Sequence, residues 1–278
     1  MKHIALCGAL FAIALVLCAA PGFAAEPLPW QIGLQPPATP VKERIHDFHN
    51  MLLVIIIGIV LFVMALMIFI MIRFNAKANP EPSTTSHNVP LEIVWTIVPV
   101  IILVVIAVPS MKLLYYMDRV EEPEMTVKVI GHQWYWAYEY PDHDDFQFAA
   151  YMIPDDEIDP SKGQRRLLST DNQLVLPVDT DIEILITAGD VIHSFAVPAF
   201  GIKTDAVPGR LNHTWVRITQ PGTYYGQCSE ICGTGHAYMP SEVRAVSKED
   251  FEAWIAQAET GYLSYAEFEE SRNGSAAR

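Results

Sequence analysis

The stretch Tyr224-Tyr225-Gly226-Gln227-Cys228-Ser229-Glu230-Ile231-Cys232-Gly233-Thr234-Gly235-His236-Ala237-Tyr238-Met239 carries two thiols, an imidazole and a thioether within its last 12 residues. Soft sulfur with imidazole is a copper donor set, whereas magnesium and calcium take oxygen. Gly226, Gly233 and Gly235 give the backbone freedom to fold a loop round an ion. Three readings compete. A Cys228–Cys232 disulfide suits an oxidising compartment but explains neither His236 nor Met239. A mononuclear blue-copper centre takes two histidines, one cysteine and a weak axial methionine; His193 can serve as the distant imidazole, and one thiol is then spare. Two thiolates bridging two coppers use every group, each metal taking both sulfurs, one imidazole and one weak axial ligand.

Outward from this loop the sequence reads as all-β. Met125 to Tyr140 is strand-rich, with Trp134, Trp136, Tyr138 and Tyr140 alternating with Tyr135, Ala137 and Glu139. Ile182, Ile184 and Ile186 alternate before an Ala188-Gly189-Asp190 turn. Val191 to Val197, Thr214 to Thr219 and Ser241 to Val246 are further strands, separated by Gly and Pro as in a sandwich or Greek-key barrel. Ser247 and Asp250 predict a cap for a closing helix from Lys248 to about Ala258. The last residues, Ser271 to Arg278, read as frayed.

Upstream the chain is apolar. Met51 to Ile72 is 22 residues without a charge, enough at about 1.5 Å per residue to cross a bilayer. A second run extends from Glu92 to Tyr116, with Trp95, Tyr115 and Tyr116 placed as interfacial aromatics. The short polar connection between them predicts an antiparallel hairpin. Residues 1–25 read as a secretory signal, with Lys2, an apolar core and small residues for cleavage near Ala24; an uncleaved third span is the alternative. Cys7 and Cys18 fall in this leader, and bulky Leu17 argues against lipidation of Cys18. Residues 26–45 are a Pro-rich tether, 46–117 the hairpin (spans 51–72 and 92–116), 118–246 the β domain and 247–278 the closing helix and tail. A cleaved signal and two spans return the β domain to the outer side. Arg73 and Lys77 in the short loop agree with the positive-inside bias.

Of the net charge of −14, the part from Leu114 onward carries 27 acidic against 12 basic residues. Such a domain repels nucleic acid and attracts basic partners. The chain has no Cys-x-x-Cys-His haem-attachment motif and no haem ligand arrangement.

Val191-Ile-His193-Ser-Phe, Tyr224-Tyr-Gly-Gln-Cys228-Ser-Glu-Ile-Cys232-Gly, His236 and Met239 resemble the binuclear CuA signature of cytochrome c oxidase subunit II. The resemblance also covers Gly131-His-Gln-Trp134-Tyr-Trp-Ala-Tyr-Glu139 and Lys203-Thr-Asp-Ala-Val-Pro-Gly-Arg210, and extends roughly from Lys42 to Trp254. It implies a transmembrane hairpin followed by a cupredoxin-like Greek-key barrel. It implies two coppers held by His193, Cys228, Cys232, His236, Met239 and the backbone carbonyl of Glu230. It also implies magnesium or manganese on the Glu230 side chain, shared with subunit I. Further, it implies electron entry at Trp134 and cytochrome c docking on Glu139, Asp142, Asp144, Asp145, Asp171 and Asp190. Glu92 stands at the position of a proton-path entrance. The implied partners are cytochrome c, the haem-bearing subunit I, other oxidase subunits and the lipid bilayer. The implied location is the bacterial inner membrane, with the C-terminal domain in the periplasm. The rival readings are a copper-free subunit II of a quinol oxidase, nitrous-oxide reductase, which is longer and soluble, and a copper chaperone, which exposes fewer ligands.

Overall fold

The computed structural model describes residues 23–25, 27–118, 122–259 and 264–276. Most of the expected signal segment, residues 1–22, lies outside the described residues. Residues 43–119 form one compact unit; the β domain, with the segment up to Lys42, forms the other.

Strand β1 (Phe23–Ala25) precedes two long helices, α1 (Pro40–Arg73) and α2 (Val89–Met117). Helix α1 starts well before the apolar run that announces it, inside the expected tether. The cause is local: the Thr39 hydroxyl accepts a hydrogen bond from Lys42 N at 3.0 Å, and Pro40 fits the first helical position. In α2 the Asn88 side chain accepts from Leu91 N at 3.2 Å, while the Glu92 carboxylate accepts from Asn88 N at 3.3 Å. The apolar stretches of both helices are exposed along their length, the surface a bilayer covers. Arg44 lies 3.4 Å above the Tyr116 ring centroid, joining the start of α1 to the end of α2 as an antiparallel pair requires.

The β unit contains β2 (Met125–His132), β3 (Tyr135–Tyr140), β4 (Phe146–Ala150), β5 (Leu174–Pro177), β6 (Ile182–Ala188), β7 (His193–Val197), β8 (Ile202–Ala206), β9 (Asn212–Val216), β10 (Gly222–Gln227) and β11 (Pro240–Val246). One sheet has the order β4-β3-β2-β6-β9, a second β1-β10-β11-β5, and β7 pairs with β8 as a ribbon. Strands β2, β3 and β6 alternate between buried and half-buried residues, the period-2 pattern of a sheet with one face in the core. Val127, Val129, Trp136, Tyr138 and the three isoleucines of β6 meet Leu174, Leu176, Tyr224 and Val243 in one apolar cluster. The Tyr140 hydroxyl crosses between the sheets, donating to Val175 O at 2.9 Å and accepting from Val175 N at 3.1 Å.

Two expectations need correction. The strand-rich stretch from Met125 to Tyr140 is a hairpin, with Gln133 and Trp134 in its turn. Gln133 N donates to Asp190 instead of continuing the ladder, so Trp134 leaves the strand alternation. At the C-terminus, α3 (Lys248–Ala258) forms with its Ser247 cap as expected, but residues 271–276 of the tail expected to fray belong to a second helix, α4 (Tyr265–Ala276), and the last two residues lie outside the described ones. Ser264 and Glu267 cap it reciprocally, Tyr265 and Phe268 are buried, and Arg244 pairs with Glu269 at 2.8 Å.

Candidate metal centre

Strand β7 delivers His193 and the loop after β10 delivers the thiols. The sulfurs of Cys228 and Cys232 lie 3.9 Å apart, both buried and not joined as a disulfide. His193 Nδ1 is 3.9 Å from the Cys228 sulfur, while His236 Nδ1 is 3.6 Å from the Cys232 sulfur. The Met239 sulfur lies 3.6 Å from Cys232, and the Cys228 thiol reaches the Glu230 carbonyl at 3.3 Å. The ligand atoms of His193, Cys228 and Cys232 fall within 4.8 Å of one another. All the groups expected around copper therefore converge, and their soft-donor chemistry fits that metal.

Burial, reinforced by the neighbouring Cys228 and by Asp190, pushes the Cys232 thiol up to about 12. Without a cation the Cys232 thiol stays protonated at neutral pH, so metal uptake there must displace a proton.

The surrounding shell fixes these side chains, and several of its members were not singled out by the sequence. His193 Nε2 donates to Asp190 Oδ1 at 2.9 Å, which turns Nδ1 towards the sulfurs. Burial opposes ionisation of Asp190, but its bonds with His193, Val191 N and Gln133 N outweigh that and hold the carboxyl below its usual range. Gly131 lies beneath the His193 ring: a Cβ there would stand 2.8 Å from the imidazole, so any larger residue would displace the ring. Gln133 Nε2 and Trp134 Nε1 both donate to Cys232 O, at 2.8 and 3.3 Å, and Trp136 Nε1 donates to Met239 O at 3.1 Å. The turn and start of β3 are thereby stitched to the ligand loop. The signal for this was present in the Gly131-to-Glu139 motif, but only the fold shows what each residue touches.

Trp134 is 36% exposed and packs against Gly235, where an added Cβ would come within 2.3 Å of the indole. The glycines of the ligand loop thus admit the tryptophan as well as the bend. The Glu230 side chain is exposed, away from the buried donors. Glu92 is exposed on α2 and bonded to Asn88 N, the arrangement of a helix-terminal acid.

The six candidate docking acids differ in state. Glu139 pairs with Lys128 at 2.7 Å and Asp142 accepts from Thr126 N. Asp171 is exposed at the surface, but desolvation by its neighbours raises its carboxyl despite bonds from the Tyr151 and Asn172 amides. Asp190 is engaged as described. Asp144 and Asp145 are exposed in the turn before β4.

The fold and the donor cluster define a membrane-anchored, cupredoxin-like protein with a CuA-type site. Residues 125–246 match the family described as "Cytochrome C oxidase subunit II, periplasmic domain", and residues 27–113 match its "transmembrane domain". The probable cytochrome c oxidase subunit 2 of Rickettsia bellii is 54% identical over 244 residues, 88% of this chain and 90% of that protein. Its counterpart in Phytophthora megasperma is 49% identical over 232 residues, 82% and 86% of the two chains. The solved periplasmic domain of subunit II from Bradyrhizobium japonicum aligns with 52% of this chain and 100% of its own at 44% identity, with a TM-score of 0.48. The chain belongs to the cytochrome c oxidase subunit II family. It is accordingly a subunit of a haem-copper oxidase, a cytochrome c:oxygen oxidoreductase, and partners with subunit I.

Proposed function

We propose that this subunit receives electrons from cytochrome c and relays them towards haem in subunit I, through a copper pair held by His193, Cys228, Cys232, His236, Met239 and the Glu230 carbonyl. The observation that carries this is the flanking of each thiol by its own imidazole. His193 stands beside Cys228 and His236 beside Cys232, whereas a single blue-copper ion leaves one sulfur without use. The copper-free quinol-oxidase reading has no support beside this complete donor set. When bound, the copper pair supplies a one-electron acceptor with its charge shared over two metals.

The chain's own residues do the rest. Trp134 offers an exposed aromatic face to the donor, and its indole N–H, bonded to Cys232 O, gives a direct route to a ligand residue. Buried His193, Cys228, Cys232 and Met239 keep water from the sulfurs. Asp190 holds His193 in one orientation. The exposed carboxylate of Glu230 contributes to a magnesium or manganese ion completed by subunit I, and Glu92 marks the inner end of a proton path. The membrane is the bacterial inner membrane, the β domain lies in the periplasm, and residues 1–25 direct export.

Stopped-flow reduction of the assembled oxidase by reduced cytochrome c tests the reading. Trp134→Phe, which keeps an aromatic ring against Gly235, should slow reduction steeply per bound copper, with copper content measured alongside. An unchanged rate would remove Trp134 from the route.

A further inference from the structure

A cavity of about 290 Å³ opens between α1 and α2 at the end where α1 begins and α2 finishes. Its polar lining is Arg44, Asp47 and Lys112; its apolar wall is Phe48, Met51, Pro109 and Leu113. We propose that it binds one glycerophospholipid with a phosphate and a primary ammonium in its headgroup. Arg44 and Lys112 hold the phosphate, Asp47 holds the ammonium, and an acyl chain lies on the apolar wall.

Position along the helix supports this. Met51 opens the uncharged run of α1, and Arg44 stands seven residues earlier, about 10 Å along the axis at about 1.5 Å per residue. That rise carries the pocket from the hydrocarbon edge into the headgroup layer. Lys112 follows Pro109 by three residues, so its ammonium reaches the same layer by extending its stem along the apolar wall. Pro109 has no N–H, which leaves the Val105 carbonyl without its helical donor and weakens the helix just below the cavity.

Charge selects the headgroup. Among the described residues no ion pair joins Arg44, Asp47 or Lys112 to one another or to a third group. Arg44 places its guanidinium carbon 3.4 Å over the Tyr116 ring centroid, which holds the group at the cavity while its N–H donors serve an anion. Two cations and one carboxylate complement a phosphate beside an ammonium that can donate hydrogen bonds. A choline headgroup has no such donor, and a glycerol headgroup offers Asp47 neutral hydroxyls in place of a cation.

Native mass spectrometry of the oxidase, released from nanodiscs of phosphatidylethanolamine, phosphatidylglycerol or phosphatidylcholine, reads the retained lipid directly. The expected result is retention of phosphatidylethanolamine in preference to the other two. Arg44→Gln with Lys112→Gln should weaken retention at least about tenfold, as loss of two charge-assisted phosphate contacts implies. Copper content should stay at the wild-type level, which shows that the variant is folded. Asp47→Asn should abolish the preference for phosphatidylethanolamine over phosphatidylglycerol. Equal retention in the Arg44/Lys112 variant, or no headgroup preference in the wild type, would overturn the proposal. A photo-crosslinker at Phe48 that captures another oxidase subunit instead of lipid would do the same.

Discussion

Asp190 was placed by resemblance among acids that meet a partner, yet its two oxygens already serve His193, Val191 N and Gln133 N. This makes it chiefly a positioning residue, tying the hairpin turn to the imidazole. Asp190→Asn keeps the shape but loses the charge that anchors His193 Nε2. Loss of such an outer partner weakens metal affinity about 10- to 100-fold, and a competitive copper titration with a chelator measures it. An affinity equal to the wild type would mean that the ring is held by packing alone, with Gly131 beneath it and Trp136 edge-on at 5.9 Å. The ligands themselves were legible because residue type and spacing expose donor chemistry directly. Gly131, Gln133 and Trp136 were not, because their roles depend on contacts with residues about 60 to 100 positions away, which only the closed fold brings together.

At the scale of elements, β11 carries a charge into the interior. Glu242 is buried, held by Thr170 N at 2.9 Å and Gln173 Nε2 at 2.6 Å, and fastens the segment before β5 to the sheet. Burial raises its pKa above the ordinary carboxylate value, against the pull of those bonds and of Arg244. The sign follows: the unfolded chain gives up this proton first, so stability is full below the unfolded pKa of about 4.3 and falls as pH rises through the folded value. Urea unfolding across that interval should show the loss in the wild type and a flatter profile in Glu242→Gln. Identical slopes would remove Glu242 as its cause. The sequence hid this group because Glu242 and Arg244 alternate with Val243 and Ala245, a pattern that puts Glu242 on the solvent face of a half-buried strand. The length of the apolar runs located both spans and period-2 alternation most strands, but several ends depend on single local bonds. Thr39 moves the start of α1, Gln133 breaks the Met125–Tyr140 stretch, and Ser264 with Arg244 creates α4 from residues with little apolar periodicity.

Over the whole molecule, a neutral helix pair is joined to a strongly acidic β domain, and it is the free charges that act at long range. Glu139 is neutralised by Lys128, and Asp171 and Asp190 are committed internally. Asp144 and Asp145 project from a turn into solvent. Asp144→Asn with Asp145→Asn should therefore lower the association rate with a basic cytochrome c at low salt more than Asp171→Asn does. The deficit should fade towards physiological ionic strength, where the Debye length is about 8 Å. Equal effects would spread the steering over the whole domain.

The account stands on two imidazoles serving two thiols, and electron paramagnetic resonance of the copper-loaded, full-length chain tests that most directly. One unpaired electron shared by two coppers gives a hyperfine pattern richer than a single copper nucleus can produce, and Cys228→Ser should abolish it. A spectrum of one copper nucleus in the wild type, with Cys228 or Cys232 dispensable, would contradict the paired site and the electron-entry function built on it.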